Sequence, residues 1–153
     1  MILGVISDTH VHSFGELPQN LLTILAKTDL IIHAGDITTV DVIKGLERLA
    51  PVQGVYGNMD LPEVKTVFPE KQIIEVKGKK IGIVHGSGGP WKIEERIKQV
   101  FSDVDAIVFG HSHKTFNKVI DGILLFNPGR ASKSYGLLEV GEKIEGKIIE
   151  GYY

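Results

Sequence analysis

The side chains best suited to chemistry in this sequence are histidine, aspartate and asparagine residues that directly follow short apolar runs. The set comprises Asp8, His10, Asp36, Asn58, His85, His111 and His113. Imidazole nitrogens, carboxylate oxygens and amide oxygens are ligands of divalent metal ions. Six or seven donors are too many for one tetrahedral ion and suit two ions about 3.5–4 Å apart, bridged by a carboxylate. The pattern therefore favours a dinuclear metal site.

Two of the motifs place their donors two residues apart, Asp8 with His10 and His111 with His113. Residues i and i+2 of an extended segment lie on the same side of the chain. We therefore expect both motifs to be extended, with each pair of donors aimed in one direction. The two histidines of the second motif straddle one small residue after an apolar run, which packing alone does not explain.

Each candidate also has a purely structural explanation when it is taken alone. His33 in LIIHAG is typical of a core histidine hydrogen-bonded to a backbone group. His12 fits a solvent-facing loop residue as well as a substrate contact. Asp36 is a candidate helix N-cap, and the pair Gly57-Asn58 is ordinary turn chemistry. Metal binding is favoured because these independent explanations would all have to hold together.

Short strands alternating with helices must position these residues. Near-continuous apolar runs predict strands at 2–7, 30–35, 52–57, 72–76, 80–86 and 106–110, buried on both faces. Helical spacing predicts helices at 18–28, 38–50 and 91–101. Thr38 with Asp41 is a candidate cap for the second helix, and Pro90 suits the first turn of the third. Beyond residue 115 the pattern predicts a hairpin around Asp121-Gly122 and a second hairpin towards the C-terminus.

A β-α-β-α-β first half followed by an antiparallel second half predicts an α/β fold with two mixed β-sheets packed as a sandwich and flanked by α-helices. The sequence contains no linker or repeat, so we expect a single domain over residues 1–153. In open α/β sheets, ligands bind beyond the carboxyl ends of the strands. Polar residues that are distant in sequence are expected to converge there.

Composition limits the function classes. The chain has 153 residues, 42% of them hydrophobic, and a formal net charge of −2, which gives no global electrostatic reason to expect nucleic acid or an anionic membrane as partner. The absence of cysteine excludes disulfides and thiolate metal sites. No signal peptide is recognisable, and no apolar run approaches the roughly 20 residues that span a bilayer. We expect a cytoplasmic protein with no membrane partner and no specific nucleic-acid partner.

Taken in order, the motifs resemble those of the calcineurin-like metallophosphoesterases. The resemblance covers essentially the whole chain and rests on Asp8-x-His10, Gly35-Asp36, Gly57-Asn58, His85-Gly86 and Gly110-His111-x-His113. The short length and the FNPG stretch at 126–129 are most similar to a minimal branch of bacterial and archaeal phosphodiesterases. The family fold, two mixed sheets sandwiched by helices, agrees with the pattern described above.

The resemblance implies two divalent metal ions per chain and a role for each ligand. Asp8, His10 and His113 would bind the first ion, Asn58, His85 and His111 the second, and Asp36 would bridge them. The implied catalytic set is Asp8, Asp36, Asn58 and His85, arranged around a bridging hydroxide that attacks phosphorus. The donor types suit Mn²⁺, which we favour, and also Ni²⁺, Fe²⁺ and Zn²⁺. Dimerisation is plausible from the minimal branch alone.

Two positions depart from the family pattern. Much of the family has a histidine after the asparagine that assists the leaving group, whereas this chain has Met59, and Asp60 lacks the imidazole it would orient. General acid catalysis is worth typically about 10²–10⁴-fold, so we expect phosphodiesters rather than alkyl monoesters as substrates. Arg130 stands where relatives often have serine, and it fits either a surface residue or a substrate contact. His12 and Asn127 are further candidate substrate contacts.

The sequence thus predicts an enzyme, a dinuclear metal-dependent phosphodiesterase for small phosphodiester or nucleotide-like substrates. One alternative is a non-catalytic protein-binding scaffold, because the fold also occurs in a retromer subunit that binds partner proteins. Another is a metal-binding regulator with vestigial activity. The presence of every ligand position that can be mapped favours the enzyme.

Overall fold

Ten strands and four short α-helices make up the chain in the computed structural model, which describes residues 1–152. The strands are β1 (Ile2–Ile6), β2 (Leu30–His33), β3 (Val52–Gly54), β4 (Lys71–Val76), β5 (Lys79–Val84), β6 (Ala106–Val108), β7 (Phe116–Ile120), β8 (Ile123–Asn127), β9 (Ser134–Val140) and β10 (Ile144–Glu150). The helices are α1 (Gln19–Leu25), α2 (Val40–Glu47), α3 (Pro62–Lys65) and α4 (Ile93–Lys98), with a 3₁₀ turn at Phe14–Glu16.

The strands form two five-stranded mixed sheets, as predicted. The first has the order β10-β9-β1-β2-β3 and the second the order β4-β5-β6-β8-β7. Each sheet contains three neighbouring parallel strands, β1 to β3 in the first and β5, β6 and β8 in the second. The antiparallel strand β9 pairs with β1 and brings the C-terminal hairpin into the first sheet. Both sheets therefore present the carboxyl ends of a parallel triplet.

Three apolar clusters hold the layers together. The cluster between the two sheets includes Leu3, Val5, Ile32, Ile81, Ile83, Val108 and Phe126. The cluster between the first sheet and α1 and α2 includes Leu21, Leu25, Ile31, Ile43 and Leu46. The cluster between the second sheet and α4 includes Ile93, Ile97, Phe101, Ile107 and Leu125. Central strands are thus buried on both faces, and none of the helices in residues 1–152 is long and apolar enough to cross a membrane.

The predicted cap of the second helix is wrong. Helix α2 begins at Val40, and Thr39 is the residue at its N-cap position. Thr38 lies outside the helix, with a left-handed φ of 83°. The carboxylate of Asp41 accepts a hydrogen bond of 3.0 Å from the backbone N–H of Phe14, so it braces the preceding loop instead of forming a capping box.

The prediction that Pro90 lies in the first turn of the third predicted helix is wrong. Helix α4 begins at Ile93 after Lys92, which has a left-handed φ of 52°, so Pro90 stands before the helix and not in its first turn. Pro62 is the first residue of the short helix α3, for which the sequence pattern gave no prediction. Proline at that position needs no N–H partner and already has a helical φ.

Strand β4 differs from its prediction as a strand buried on both faces. It pairs with β5 at the edge of the second sheet, and its burial alternates along the chain, with Ile73 52% exposed. The connection is a tight turn at Lys77-Gly78, where φ is 52° and 77°. The predicted hairpin around Asp121-Gly122 is confirmed between β7 and β8.

Candidate metal centre

All seven candidate ligands lie just beyond carboxyl ends of parallel strands. Asp8 and His10 follow β1, Asp36 follows β2, Asn58 follows β3, His85 follows β5, and His111 and His113 follow β6. Hydrogen bonds that involve these residues join the loops of the two sheets. The backbone N–H of His111 donates to Asp8 Oδ2 at 3.2 Å, and His85 Nδ1 lies 2.7 Å from the carbonyl oxygen of Ala34.

The backbone at these positions is unusual. Five of the candidate ligands have left-handed φ values, namely Asp8 (54°), His10 (50°), Asp36 (57°), His111 (69°) and His113 (61°). The prediction that both two-residue motifs are extended is therefore wrong. Residues other than glycine are strained in such conformations by about 1–3 kcal/mol each, and such strain clusters at functional sites. Hydrogen bonds fix the conformation, including those from Asp8 N–H to the Gly35 carbonyl at 3.0 Å and from His10 N–H to the Asp36 carbonyl at 3.2 Å.

In each of the two carboxylates, one oxygen accepts hydrogen bonds from the surrounding protein and the other faces the histidines. Asp8 Oδ2 accepts hydrogen bonds from the Ser7 hydroxyl at 2.7 Å and from the His111 N–H. Asp8 Oδ1 has no hydrogen-bond partner within residues 1–152. Asp36 Oδ1 accepts from the Met59 N–H at 2.8 Å. Asp36 Oδ2 lies 3.3 Å from His85 Nε2 and 3.6 Å from His10 Nε2.

The donor atoms form two groups that share Asp8. The first group is Asp8, His10 and His113, and the second is Asp8, Asp36 and His85. From Asp8 Oδ1 the distances are 3.6 Å to His10 Nε2, 3.3 Å to His113 Nε2 and 3.9 Å to His85 Nε2. Donors around one ion at roughly 2.1 Å are separated by about 3.0–3.5 Å. The groups therefore have nearly the dimensions of metal ligand sets.

Three buried polar atoms in the described part of the chain have no hydrogen-bond partner: Asp8 Oδ1, His10 Nε2 and His85 Nε2. Buried polar atoms are rarely left unpaired unless a water or an ion satisfies them. Because His85 Nδ1 bonds a carbonyl, its proton is assigned to Nδ1, and the lone pair lies on Nε2, towards the carboxylates. The donor set therefore fits divalent cations.

Asp36 and His85 influence each other's charge. Burial raises the pKa of Asp36, but the neighbouring His85 and the Met59 N–H outweigh it, and the net shift is downward. Burial lowers the pKa of His85, but the carboxylates of Asp36 and Asp8 outweigh it, and the net shift is upward. A proton on His85 thus stabilises the pair, and a bound cation would take over that role.

His33 is a buried structural histidine, as its position in LIIHAG suggested. Its Nδ1 accepts the Gly35 N–H at 3.2 Å, and its Nε2 lies 3.1 Å from the Thr9 hydroxyl. Burial lowers the pKa of His33 to about 3, so the ring is neutral. It supports the turn that carries Asp36.

His111 contributes no atom to either donor group of residues 1–152, and those groups comprise histidine and carboxylate donors only. Asn58 is exposed and lines a cleft of about 390 Å³ together with His85. The His111 ring stands edge-on to His85, with centroids 5.2 Å apart, and its Nε2 lies 2.7 Å from the Gly88 carbonyl oxygen. Their roles as ligands stay predictions.

The three candidate substrate contacts have different environments. His12 and Arg130 are exposed. Asn127 is fully buried, and its amide donates to the Gly110 carbonyl at 3.1 Å and to the Ser112 hydroxyl at 3.2 Å. The amide of Asn127 thus braces the loop that carries the paired histidines, and substrate contact stays a prediction for all three.

Asp60 has a role in this site that its sequence context did not predict. This buried carboxylate accepts the Asp36 N–H at 3.1 Å, the Gly57 N–H at 2.6 Å and the Thr38 N–H. It ties the loop after β2 to the loop after β3. Gly57 is needed for the close approach of these two loops, because a Cβ at this position would overlap Asp36 Oδ1. The glycine before the asparagine was the available signal.

Comparisons with known proteins agree with this geometry. Residues 1–142 match the calcineurin-like phosphoesterase superfamily domain. A probable metallophosphoesterase of Methanocaldococcus jannaschii is 37% identical, over 97% of this chain and 81% of that protein. A phosphodiesterase of the same organism is 33% identical, over 97% of this chain and 99% of its own length. Vps29 of Entamoeba histolytica, solved with zinc, is similar with a TM-score of 0.76 and 25% identity over all of both chains.

The ligand geometry and the full-length similarities lead to one assignment. Asp8, Asp36, His10, His85 and His113 meet where the two sheets join, and the match to the family spans all five residues. The chain belongs to the calcineurin-like phosphoesterase superfamily.

Proposed function

We propose that this protein is a dinuclear metal-dependent phosphodiesterase that hydrolyses small phosphodiester or nucleotide-like substrates. The observation that carries the proposal is the pair of donor groups sharing Asp8, with three buried donor atoms left unpaired in residues 1–152. The similarity to a protein named as a phosphodiesterase over 97% of this chain supports the diester preference.

In this proposal, Asp8, His10 and His113 would hold the first ion, and Asn58, His85 and His111 would hold the second. Asp36 would serve both ions, which is supported by the position of its Oδ2 between His10 Nε2 at 3.6 Å and His85 Nε2 at 3.3 Å. Bound divalent ions supply Lewis acidity towards phosphoryl oxygens and lower the pKa of water. Mn²⁺ is favoured, and Ni²⁺, Fe²⁺ and Zn²⁺ also suit these donors.

The chain's own residues hold the donor atoms in place, and position 59 provides no acid that could protonate the leaving group. Hydrogen bonds from Ser7 and from two backbone N–H groups fix one oxygen of each carboxylate. Met59 stands beside Asn58 with its side chain 58% exposed and has no proton to donate. Diesters with good leaving groups are therefore the expected substrates.

The test is hydrolysis by metal-stripped protein to which Mn²⁺, Ni²⁺ or Mg²⁺ is restored. We expect metal-dependent hydrolysis of bis(p-nitrophenyl) phosphate that exceeds hydrolysis of p-nitrophenyl phosphate. Asp36→Ala is expected to lose at least one ion and nearly all activity, whereas Asp103→Ala, a change at an exposed carboxylate paired with Lys80, serves as the matched control. Absence of metal-dependent diester hydrolysis under all three metal conditions would contradict the proposal.

A second candidate is a metal-binding scaffold or regulator that does not hydrolyse phosphoesters. The similarity to Vps29 of Entamoeba histolytica supports this candidate. Two bound ions with no hydrolysis of either ester would favour it. The proposal also includes a cytoplasmic location, a single domain over residues 1–153 and a homodimer, the last of which light scattering coupled to size exclusion tests directly.

A further inference from the structure

The loop at residues 86–91, between β5 and α4, is organised by one side chain. Arg96 of α4 donates from Nη1 to the Trp91 carbonyl at 2.7 Å and from Nη2 to the Ser87 carbonyl at 2.9 Å. Nη2 also donates to the Gly89 carbonyl. Three carbonyls of an otherwise irregular loop thus converge on one guanidinium.

The carbonyl between two of these has a different partner. Gly88, between Ser87 and Gly89, presents its carbonyl oxygen 2.7 Å from His111 Nε2. Only a protonated nitrogen can donate to a carbonyl, so this contact assigns the proton to Nε2 and the lone pair to Nδ1. Histidines that bind metals commonly donate their other N–H to a backbone carbonyl in this way, which fixes both the tautomer and the ring orientation.

Arginine suits this role for a geometric reason. The guanidinium has five N–H donors in a rigid planar arrangement, whereas a lysine ammonium is a compact charge on a flexible stem. Helix α4 is itself fixed, because Ile93 and Ile97 are 3% and 2% exposed within the apolar cluster under the second sheet. Arg96 therefore connects a rigid helix to the loop that orients His111.

We propose that Arg96 is a positioning residue for the second metal ion and acts through the carbonyl of Gly88 on the imidazole of His111. This inference rests on the proposed function, because it takes His111 as a ligand of that ion. The competing role is direct contact with substrate, since Arg96 also lines the cleft shared by Asn58 and His85. If Arg96 is a positioning residue, its substitution weakens metal binding even in the absence of substrate. If it only contacts substrate, metal binding stays unchanged.

The first experiment is calorimetric titration of Mn²⁺ into metal-stripped wild type, Arg96→Gln and Arg96→Lys. Loss of a group that hydrogen-bonds a metal ligand directly typically weakens metal affinity by about 10–100-fold, and Arg96 acts one contact further from the ion. We therefore expect a loss at the lower end, about tenfold, in Arg96→Gln for one of two ions. A smaller loss is expected in Arg96→Lys, with affinity for the other ion within about twofold of wild type. Lys98→Gln is the matched control, because Lys98 lies on the same helix and pairs with Asp121.

The second experiment records the imidazole nitrogens of His111 by NMR in the metal-free protein. Wild type and Lys98→Gln are expected to give the pattern of a single tautomer protonated at Nε2, and Arg96→Gln a mixture. Circular dichroism establishes that each variant is folded, and Arg96→Lys supplies the milder change if Arg96→Gln is not.

The outcomes separate this inference from the proposed function. If wild type binds fewer than two ions or hydrolyses no diester, the proposed function fails first. If wild type binds two ions and is active while Arg96→Gln keeps both affinities and a single His111 tautomer, only the positioning role is overturned. An increased KM for bis(p-nitrophenyl) phosphate with unchanged Mn²⁺ affinity would assign Arg96 to substrate binding instead.

Discussion

The buried carboxylate of Asp60 offers a sharp test of how the metal loops are held. It is 8% exposed and accepts three backbone N–H groups, those of Asp36, Gly57 and Thr38. Burial, followed by the charge of Asp36, raises the pKa of Asp60, although the three N–H groups act in the opposite direction. We predict that Asp60 acts by bracing the loops and not by transferring a proton.

The expected loss of stability follows from the number of N–H groups left unpaired. Each buried donor without a partner costs about 1–3 kcal/mol. Asp60→Ala leaves three such donors and removes a partly desolvated charge, so we expect a net loss of roughly 3–5 kcal/mol. In Asp60→Asn, the amide oxygen retains the bonds to Asp36 and Gly57, and only the Thr38 N–H faces another donor. That variant is expected to lose about 1–3 kcal/mol.

The assay is urea unfolding of the metal-free protein at neutral pH, so that metal binding does not add to the measured stability. Asp103→Ala, which removes an exposed carboxylate paired with Lys80, is the control and is expected to stay within about 0.5 kcal/mol of wild type. If both Asp60 variants lose less than about 1 kcal/mol while kcat falls a hundredfold or more, then Asp60 acts in the chemistry and the bracing role is refuted.

Three further predictions test the site. Met59→His, at a position 58% exposed, is expected to increase the ratio of monoester to diester hydrolysis, measured with the two p-nitrophenyl esters; an unchanged ratio would mean that this position does not reach the leaving group. Gly110→Ala brings a Cβ against the Ser7 hydroxyl. It is expected to destabilise the protein by about 1–3 kcal/mol in urea unfolding and to weaken Mn²⁺ binding. Stability and Mn²⁺ affinity equal to those of wild type would contradict the close approach. Burial lowers the pKa of His85, but Asp36 and Asp8 raise it overall. The attraction within this group therefore stabilises the metal-free protein fully below the pKa of about 6.5 that histidine has in an unfolded chain, and it is lost as pH rises through the raised pKa of the folded protein. Protons then compete with metal, and the increase in Tm on adding Mn²⁺ should shrink as pH falls through that raised pKa; an increase independent of pH between 5 and 9 would contradict this.

The sequence predicted that the candidate ligands follow the ends of buried strands, because that pattern is local. Polar residues that end buried strands have few structural reasons to be there, and a parallel arrangement carries them to one edge of a sheet. The turn at Asp121-Gly122 and the strands that frame the site were predicted for similarly local reasons. Short-range patterns of hydrophobicity and turn residues contain this information.

Features that depend on distant partners could not be predicted in this way. The pairing of β9 with β1 joins residues more than a hundred positions apart and follows from how the sheets close. The edge position of β4 depends on which strands lie beside it. The three N–H bonds accepted by Asp60 and the left-handed φ of Asp8 arise from loops of different strands meeting.

The most direct test of the dinuclear site is anomalous diffraction at the manganese edge from crystals grown with Mn²⁺. We expect two peaks per chain, about 3.5–4 Å apart, one beside Asp8, His10 and His113 and the other beside Asn58, His85 and His111, with Asp36 near both. A single peak, or peaks away from these side chains, would contradict it.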